Sequence, residues 1–334
     1  MDNNWLGCHL PNDQKIFNGR LQCKKYFSFE LNLILFGISF LEQYPLFTPK
    51  KMKIAIFSCH PFEKEFIEKA NTKSHHLIYI HEPITLTTVK KAKDCEVVSI
   101  FSSDNANRDV LKKLVEMGVG LIATRSAGTD HIDLQAAAEF DIYIANVPKY
   151  SPNAIAEHCI ALTLALYRKL KPSFERVGNY NFSLEGQIGM EIKSKTVGIC
   201  GTGDIGEVLA NLFHGFGAHI LLYDSKRNSN LINKSWAKYA TKESILEKCD
   251  IISLNLPLNN ETEEFISFQE LETMKNSAIL INTGRGKLVN TGHIYNAMRE
   301  KKISGFAMDV YENEKGIFHK DLSKSNEKDH LPNH

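Results

Sequence analysis

Three glycines in the run Gly201-Thr-Gly203-Asp204-Ile205-Gly206 follow directly on the apolar stretch Thr196-Val-Gly-Ile-Cys200. Behind them Ile205, Val208, Leu209, Leu212, Phe213 and Phe216 recur at helical spacing. Strand, glycine turn and helix in that order suit a pyrophosphate. Gly201 permits a tight turn, Gly203 lets phosphate approach the backbone, and Gly206 lets helix and strand pack closely, with the negative charge at a helix N-terminus. The next strand-like run, His219-Ile-Leu-Leu-Tyr223, ends in Asp224, eighteen residues after Gly206. A carboxylate there accepts hydrogen bonds from ribose hydroxyls and repels a 2′-phosphate. The pattern therefore points to a dinucleotide, and to NAD rather than NADP.

A second group of residues has types suited to holding a small anion. Arg285 follows the apolar run Ala278-Ile-Leu-Ile-Asn282, so its planar guanidinium emerges at a strand's carboxyl end, over the crevice where open α/β sheets bind ligands. Ser126-Ala127-Gly128 follows another such run, 120–126, and forms a strand-to-helix turn. These stretches belong to longer segments: Arg125-Ser-Ala-Gly-Thr-Asp-His-Ile-Asp133, Val147-Pro-Lys-Tyr-Ser-Pro-Asn-Ala-Ile-Ala-Glu-His158, Asn181-Phe-Ser-Leu-Glu-Gly186, Ile281-Asn-Thr-Gly-Arg-Gly286 and Asp309-Val-Tyr-Glu-Asn-Glu314.

With the glycine turn, these segments stand in the order and spacing found in the D-isomer-specific 2-hydroxyacid dehydrogenases. From about Met52 to Phe318 the chain resembles that family, in its D-lactate branch. The resemblance implies an NAD-dependent enzyme that interconverts a small 2-keto acid and its D-2-hydroxy acid, pyruvate and D-lactate above all. It gives Arg285 the substrate carboxylate and the reacting oxygen, and the backbone amides of Ala127 and Gly128 the carboxylate. Tyr150 becomes a substrate-side residue. Leu256, Pro257, Thr283 and Gly284 line the cofactor, Asp309 lies near its carboxamide, and Asp204 and Ile205 belong to the pyrophosphate turn. Glu314 takes the position of the carboxylate that orients a catalytic His. Homodimers paired through the NAD domain are implied as well.

The chain departs from the family pattern in three places. The partner His belongs to a segment a few tens of residues beyond Glu314, and no such segment is found in 319–334; this stretch is expected to be a divergent, polar tail, at a cost to turnover. Asn255 stands where relatives commonly carry His, and Asp204 puts a carboxylate beside the pyrophosphate. Another D-2-hydroxy acid substrate, or an NAD(H)-binding protein impaired in catalysis, remain the alternative readings.

These residues need two scaffolds to position them. Strand-like runs at 53–58, 76–81, 97–102, 120–126 and 142–147 alternate with helical stretches, and a second series runs through 196–200, 219–224, 251–256, 278–282 and 305–310. The expected fold is α/β: a Rossmann-type doubly wound NAD domain inserted into a flavodoxin-like α/β substrate domain. Residues 52–150 form the substrate domain and 151–318 the NAD domain. Ser151-Pro152 opens a long Ala- and Leu-rich helix to about Leu170 at the junction. Residues 1–51, ahead of the first strand at Met52, are read as an extension without regular structure.

Composition agrees with a small-molecule enzyme. Forty basic residues against thirty-nine acidic leave a formal net charge of +1, which gives no field to recruit nucleic acid or an anionic membrane. The apolar stretch from Leu31 to Leu41 is too short to span a bilayer. Seven scattered cysteines without a C-x-x-C pair resemble neither a zinc site nor a disulfide framework, and suit a cytoplasmic location.

Overall fold

A computed structural model describes residues 51–147 and 151–314, together with 6–9, 16–19, 317–318 and 322–323. The chain divides into two compact units between Tyr150 and Ser151.

The first unit is built on β3 (Lys53–Ile56), β4 (His76–Tyr79), β5 (Val97–Ile100), β6 (Leu121–Thr124) and β7 (Tyr143–Ala145), all parallel, in the spatial order β7-β6-β5-β3-β4. This is the flavodoxin-like arrangement, with the strand order reversing between β3 and β5. The period-two alternation sorts side chains to two faces: Ile54, Ile56, Val97 and Leu121 pack on one, and Ala55, Phe57, Val98 and Ile122 on the other. Both faces are covered, which is why these strands read as continuous apolar runs. The helices Arg108–Glu116 and Leu134–Glu139 begin where Asn107 and Asp133 accept hydrogen bonds from the amides of Val110 and Ala136.

From sequence alone no regular element is expected in 1–51, yet the structure describes two short strands there, β1 (Leu6–His9) and β2 (Ile16–Gly19). They pair with each other, and β1 runs antiparallel to β7 with Cys8 opposite Ala145 and His9 opposite Ile144.

The second unit opens with the helix Pro152–Tyr167, whose N-cap Ser151 accepts from the Ala154 amide. The single helix expected to reach about Leu170 is interrupted: Lys169 takes a left-handed conformation, φ 52°, and a new helix runs over Leu170–Gly178. Then come β8 (Thr196–Cys200), β9 (His219–Tyr223), β10 (Ala237–Tyr239), β11 (Ile251–Leu254), β12 (Ile279–Asn282) and β13 (Gly305–Met308). They form a parallel sheet in the order β10-β9-β8-β11-β12-β13, the doubly wound dinucleotide-binding order. Five of these strands follow from apolar runs, whereas β10, only three residues long with Lys238 at its centre, does not. The order reverses between β8 and β11, and the glycine turn lies there.

Candidate functional site

The glycine turn carries three distinct constraints. Gly201 has φ +95°, and a Cβ on it would lie 2.4 Å from the Asn255 carbonyl oxygen. A Cβ on Gly206 would lie 2.0 Å from the Gly201 carbonyl oxygen, so the helix Asp204–Gly215 is seated directly on the turn. At Gly203 a Cβ would meet nothing within 4 Å, and this open backbone precedes the helix. Asp204 is exposed at the helix start, while the Ile205 side chain packs against the core, leaving its backbone at the turn. An exposed acid in water repels a nearby phosphate weakly.

Asp224, one residue past β9, is tied to the turn. Its Oδ2 accepts from the Thr202 amide at 2.6 Å and the Thr202 hydroxyl at 3.0 Å, and its Oδ1 accepts from the Lys226 amide at 3.0 Å. Two residues that the sequence pattern does not single out complete the arrangement. The Tyr239 hydroxyl shares a hydrogen bond with the Thr202 hydroxyl and accepts from the Asn228 amide, and Asn228 Nδ2 donates to Thr202 O and to Glu207 Oε2. Thr202 could have been suspected from its place between the glycines; nothing local marks Tyr239.

Past β11 and β12, Leu256 is buried, Pro257 is exposed, and Thr283 is 9% exposed. Leu254 pairs with Asn282, so Asn255 and Thr283 stand one position beyond the ladder at equal register. Asn255 Oδ1 and Thr283 Oγ1 are buried without a hydrogen-bond partner. Buried polar atoms left unmatched are costly. Two of them at the carboxyl ends of adjacent strands, beside an open glycine turn, fit a polar ligand in the crevice where a dinucleotide binds.

Arg285 opens a short turn braced by the fully buried Asn282, whose Oδ1 accepts from the Gly284 amide and whose Nδ2 donates to the Arg285 carbonyl. The guanidinium donates to the Gly284 carbonyl at 3.0 Å. A Cβ on Gly286 would lie 2.1 Å from the Tyr311 carbonyl carbon and 2.4 Å from the Glu312 nitrogen. Only a glycine lets the turn after Arg285 lie against the Tyr311 and Glu312 backbone. Glu314 is exposed, with Oε2 accepting from the Tyr311 amide. Asp309 follows β13, its amide donating to Asn282 O, and its carboxylate stands 3.5 Å from His158 Nε2.

In the first unit, the turn after β6 is fastened on all sides except one. Ser126 Oγ donates to Gly128 O, Asn146 Nδ2 donates to Ala127 O, and the Val147 amide donates to Ser126 O. Neither the Ala127 nor the Gly128 amide donates to another described residue. Tyr150 lies outside the described residues. Among the described residues no cluster of acidic, His and Cys side chains could hold a metal, and no helix is long and apolar enough to cross a membrane.

Residues 160–332 match the family model described as D-isomer specific 2-hydroxyacid dehydrogenase, NAD binding domain. That match runs through 319–332, the stretch read from sequence as divergent. A 2-hydroxyacid dehydrogenase homolog of Zymomonas mobilis is 40% identical over 269 residues, 80% of this chain and 81% of the relative. The D-lactate dehydrogenase of Escherichia coli is 35% identical over 273 residues, 81% of this chain and 83% of the relative. Among solved structures, the D-lactate dehydrogenase of Aquifex aeolicus complexed with NAD and lactic acid superposes with a TM-score of 0.74 at 32% identity, covering 81% of each chain.

Proposed function

The chain belongs to the D-isomer specific 2-hydroxyacid dehydrogenase family, and from that membership we propose that it interconverts pyruvate and D-lactate. Bound NAD supplies or accepts the hydride. The observation that supports the reading is the packing of Gly286 on the Tyr311 and Glu312 backbone, because it sets the turn that carries Arg285 against the segment that leads to Glu314, past the carboxyl ends of β12 and β13. Arg285 offers the paired N–H groups that suit a carboxylate and stabilise negative charge growing on the adjacent oxygen. In the first unit, the successive Ala127 and Gly128 amides are donors of a kind that suits a carboxylate. Glu314 would orient the group that carries the proton. Asp224 would hold the ribose hydroxyls of NAD, Thr283 and Asn255, whose buried oxygens lack partners, would line it, and Asp309, next to His158, would lie near the carboxamide. Assays of NADH oxidation with pyruvate, 2-oxobutyrate and 2-oxoisocaproate, with the chirality of the product determined, test the assignment. Absence of turnover with all three, or an L-product, refutes it.

The proposed assembly is a homodimer. Phe174 and Val177 on the helix Leu170–Gly178, and Tyr180, Phe182, Leu184 and Ile188 just after it, are all more than half exposed. So many large apolar side chains on one short stretch of surface mark an interface, and a second copy of the chain would cover them. The five described cysteines are free and buried, which suits the proposed cytoplasmic location.

A further inference from the structure

The turn after β9 holds a cavity of about 430 Å³ walled on one side by Thr202, Gly203 and Asp224. Its other wall is the run Lys226-Arg227-Asn228-Ser229. Asp224 by itself argues for a bare 2′-hydroxyl, since a carboxylate repels a 2′-phosphate. The cavity contains more charge than that. Lys226 and Arg227 are both exposed, and neither forms an ion pair with another described residue. Asp224 lines the same cavity, but its carboxylate is engaged by the protein: Oδ2 accepts from the Thr202 amide and hydroxyl, and Oδ1 accepts from the Lys226 amide and, at 3.5 Å, from the Ser225 hydroxyl. The neighbouring Glu207 carboxylate is likewise engaged, its oxygens accepting from the side chains of Asn228 and Asn230.

Arg227 is also supported from behind. The Arg227 guanidinium lies over the Tyr239 ring, 5.3 Å from its centroid. The ring is fixed in turn, because its hydroxyl bonds to Thr202 and to the Asn228 amide. A stacked guanidinium keeps its edge N–H groups free for a phosphate, in the manner of the arginines that accommodate the 2′-phosphate in dinucleotide sites of this topology.

We propose that this cavity accepts the 2′-phosphate of NADPH on Lys226 and Arg227, so that the chain binds both NADH and NADPH in spite of Asp224. The proposal rests on reading the glycine turn as the dinucleotide site. Two cations against one engaged carboxylate give a net attraction for the added phosphate, and solvent exposure keeps each contribution modest and dependent on salt.

The test measures equilibrium binding to the full chain by NADH and NADPH fluorescence, with adenosine 2′,5′-bisphosphate and 5′-AMP as competitors. The expected result is an NADPH Kd within about tenfold of that for NADH, with the bisphosphate competing better than 5′-AMP. Arg227→Gln and Lys226→Gln, both on the surface, should each raise the NADPH Kd about fivefold or more and leave the NADH Kd within about twofold. Higher salt should weaken NADPH more than NADH. An NADPH Kd more than about a hundredfold above that of NADH, or an Arg227→Gln variant that loses both cofactors equally, overturns the proposal. Failure of NADH itself to bind would instead overturn the assignment of the site.

Discussion

The Glu63 carboxylate and the Arg125 guanidinium meet at 2.9 Å inside the first unit, their side chains only 7% and 5% exposed. Glu63 also accepts from the His60 amide, closing a capping box at the start of the helix Pro61–Ala70. Arg125 donates further to Ser99 Oγ and to the carbonyls of Phe57 and Ser58, and it lies over the Phe101 ring. This arginine is therefore fully engaged, and serves to anchor the turn that presents the Ala127 and Gly128 amides.

Removing one partner of that pair leaves a buried charge uncompensated. Glu63→Gln should lower the unfolding free energy by about 3 kcal/mol, the low end for a broken buried pair because Arg125 keeps three acceptors. Urea denaturation measures it. A loss below about 1 kcal/mol would mean that the pair contributes no more than a surface contact.

Arg285→Lys should weaken binding of oxamate, a pyruvate mimic, by more than about tenfold, since a point charge replaces a planar fork and roughly 2 kcal/mol of charge-assisted bonding is lost. NADH affinity should change little. Titration of oxamate into the NADH-loaded protein decides, and unchanged oxamate affinity would remove Arg285 from the substrate site.

Glu270 provides a pH test of stability. Burial, the largest influence, raises its carboxyl, but hydrogen bonds from Lys242, the Ser267 hydroxyl and backbone amides together outweigh it and hold the group at about 2. A carboxyl depressed in the folded state stabilises above its unfolded value and loses that contribution as pH falls toward the folded one. The shift corresponds to about 3 kcal/mol undamped, and solvent screening around the Lys242 pair reduces this to about 1 kcal/mol. Glu270→Gln should therefore be less stable than the parent at pH 7. The gap should close between about pH 4.5 and pH 2, as thermal unfolding across that range would reveal. A gap independent of pH would contradict the linkage.

The exposed apolar stretch predicts the assembly state. Phe174→Asp combined with Ile188→Asp changes residues that are 74% and 87% exposed, so the fold of one chain should survive. Sedimentation equilibrium should show the parent near twice 37.8 kDa and the double variant near 37.8 kDa. A parent that sediments as a monomer would remove the proposed dimer.

Much of the second unit is legible from the chain because its signals are local. The strand before Gly201, the helix after it and the acid at 224 are neighbours in sequence, and each glycine answers a constraint set within a few residues or across one strand pair. The parallel strands, buried on both faces, likewise read as short apolar runs with no need of their partners. Residues 1–51 show the opposite case: β1 has no strong pattern of its own and acquires strand geometry by pairing with β7, more than a hundred residues away. Only the folded chain discloses that Tyr239, on a three-residue strand, braces Thr202 and carries Arg227, or that Gly286 must lack a side chain because Tyr311 passes against it. Residue type and spacing nominate the groups proposed to bind a dinucleotide and a carboxylate. Which backbones touch, and which ring holds the Arg227 guanidinium, depend on contacts between separate segments of the chain, and hydrophobic periodicity contains no information about them.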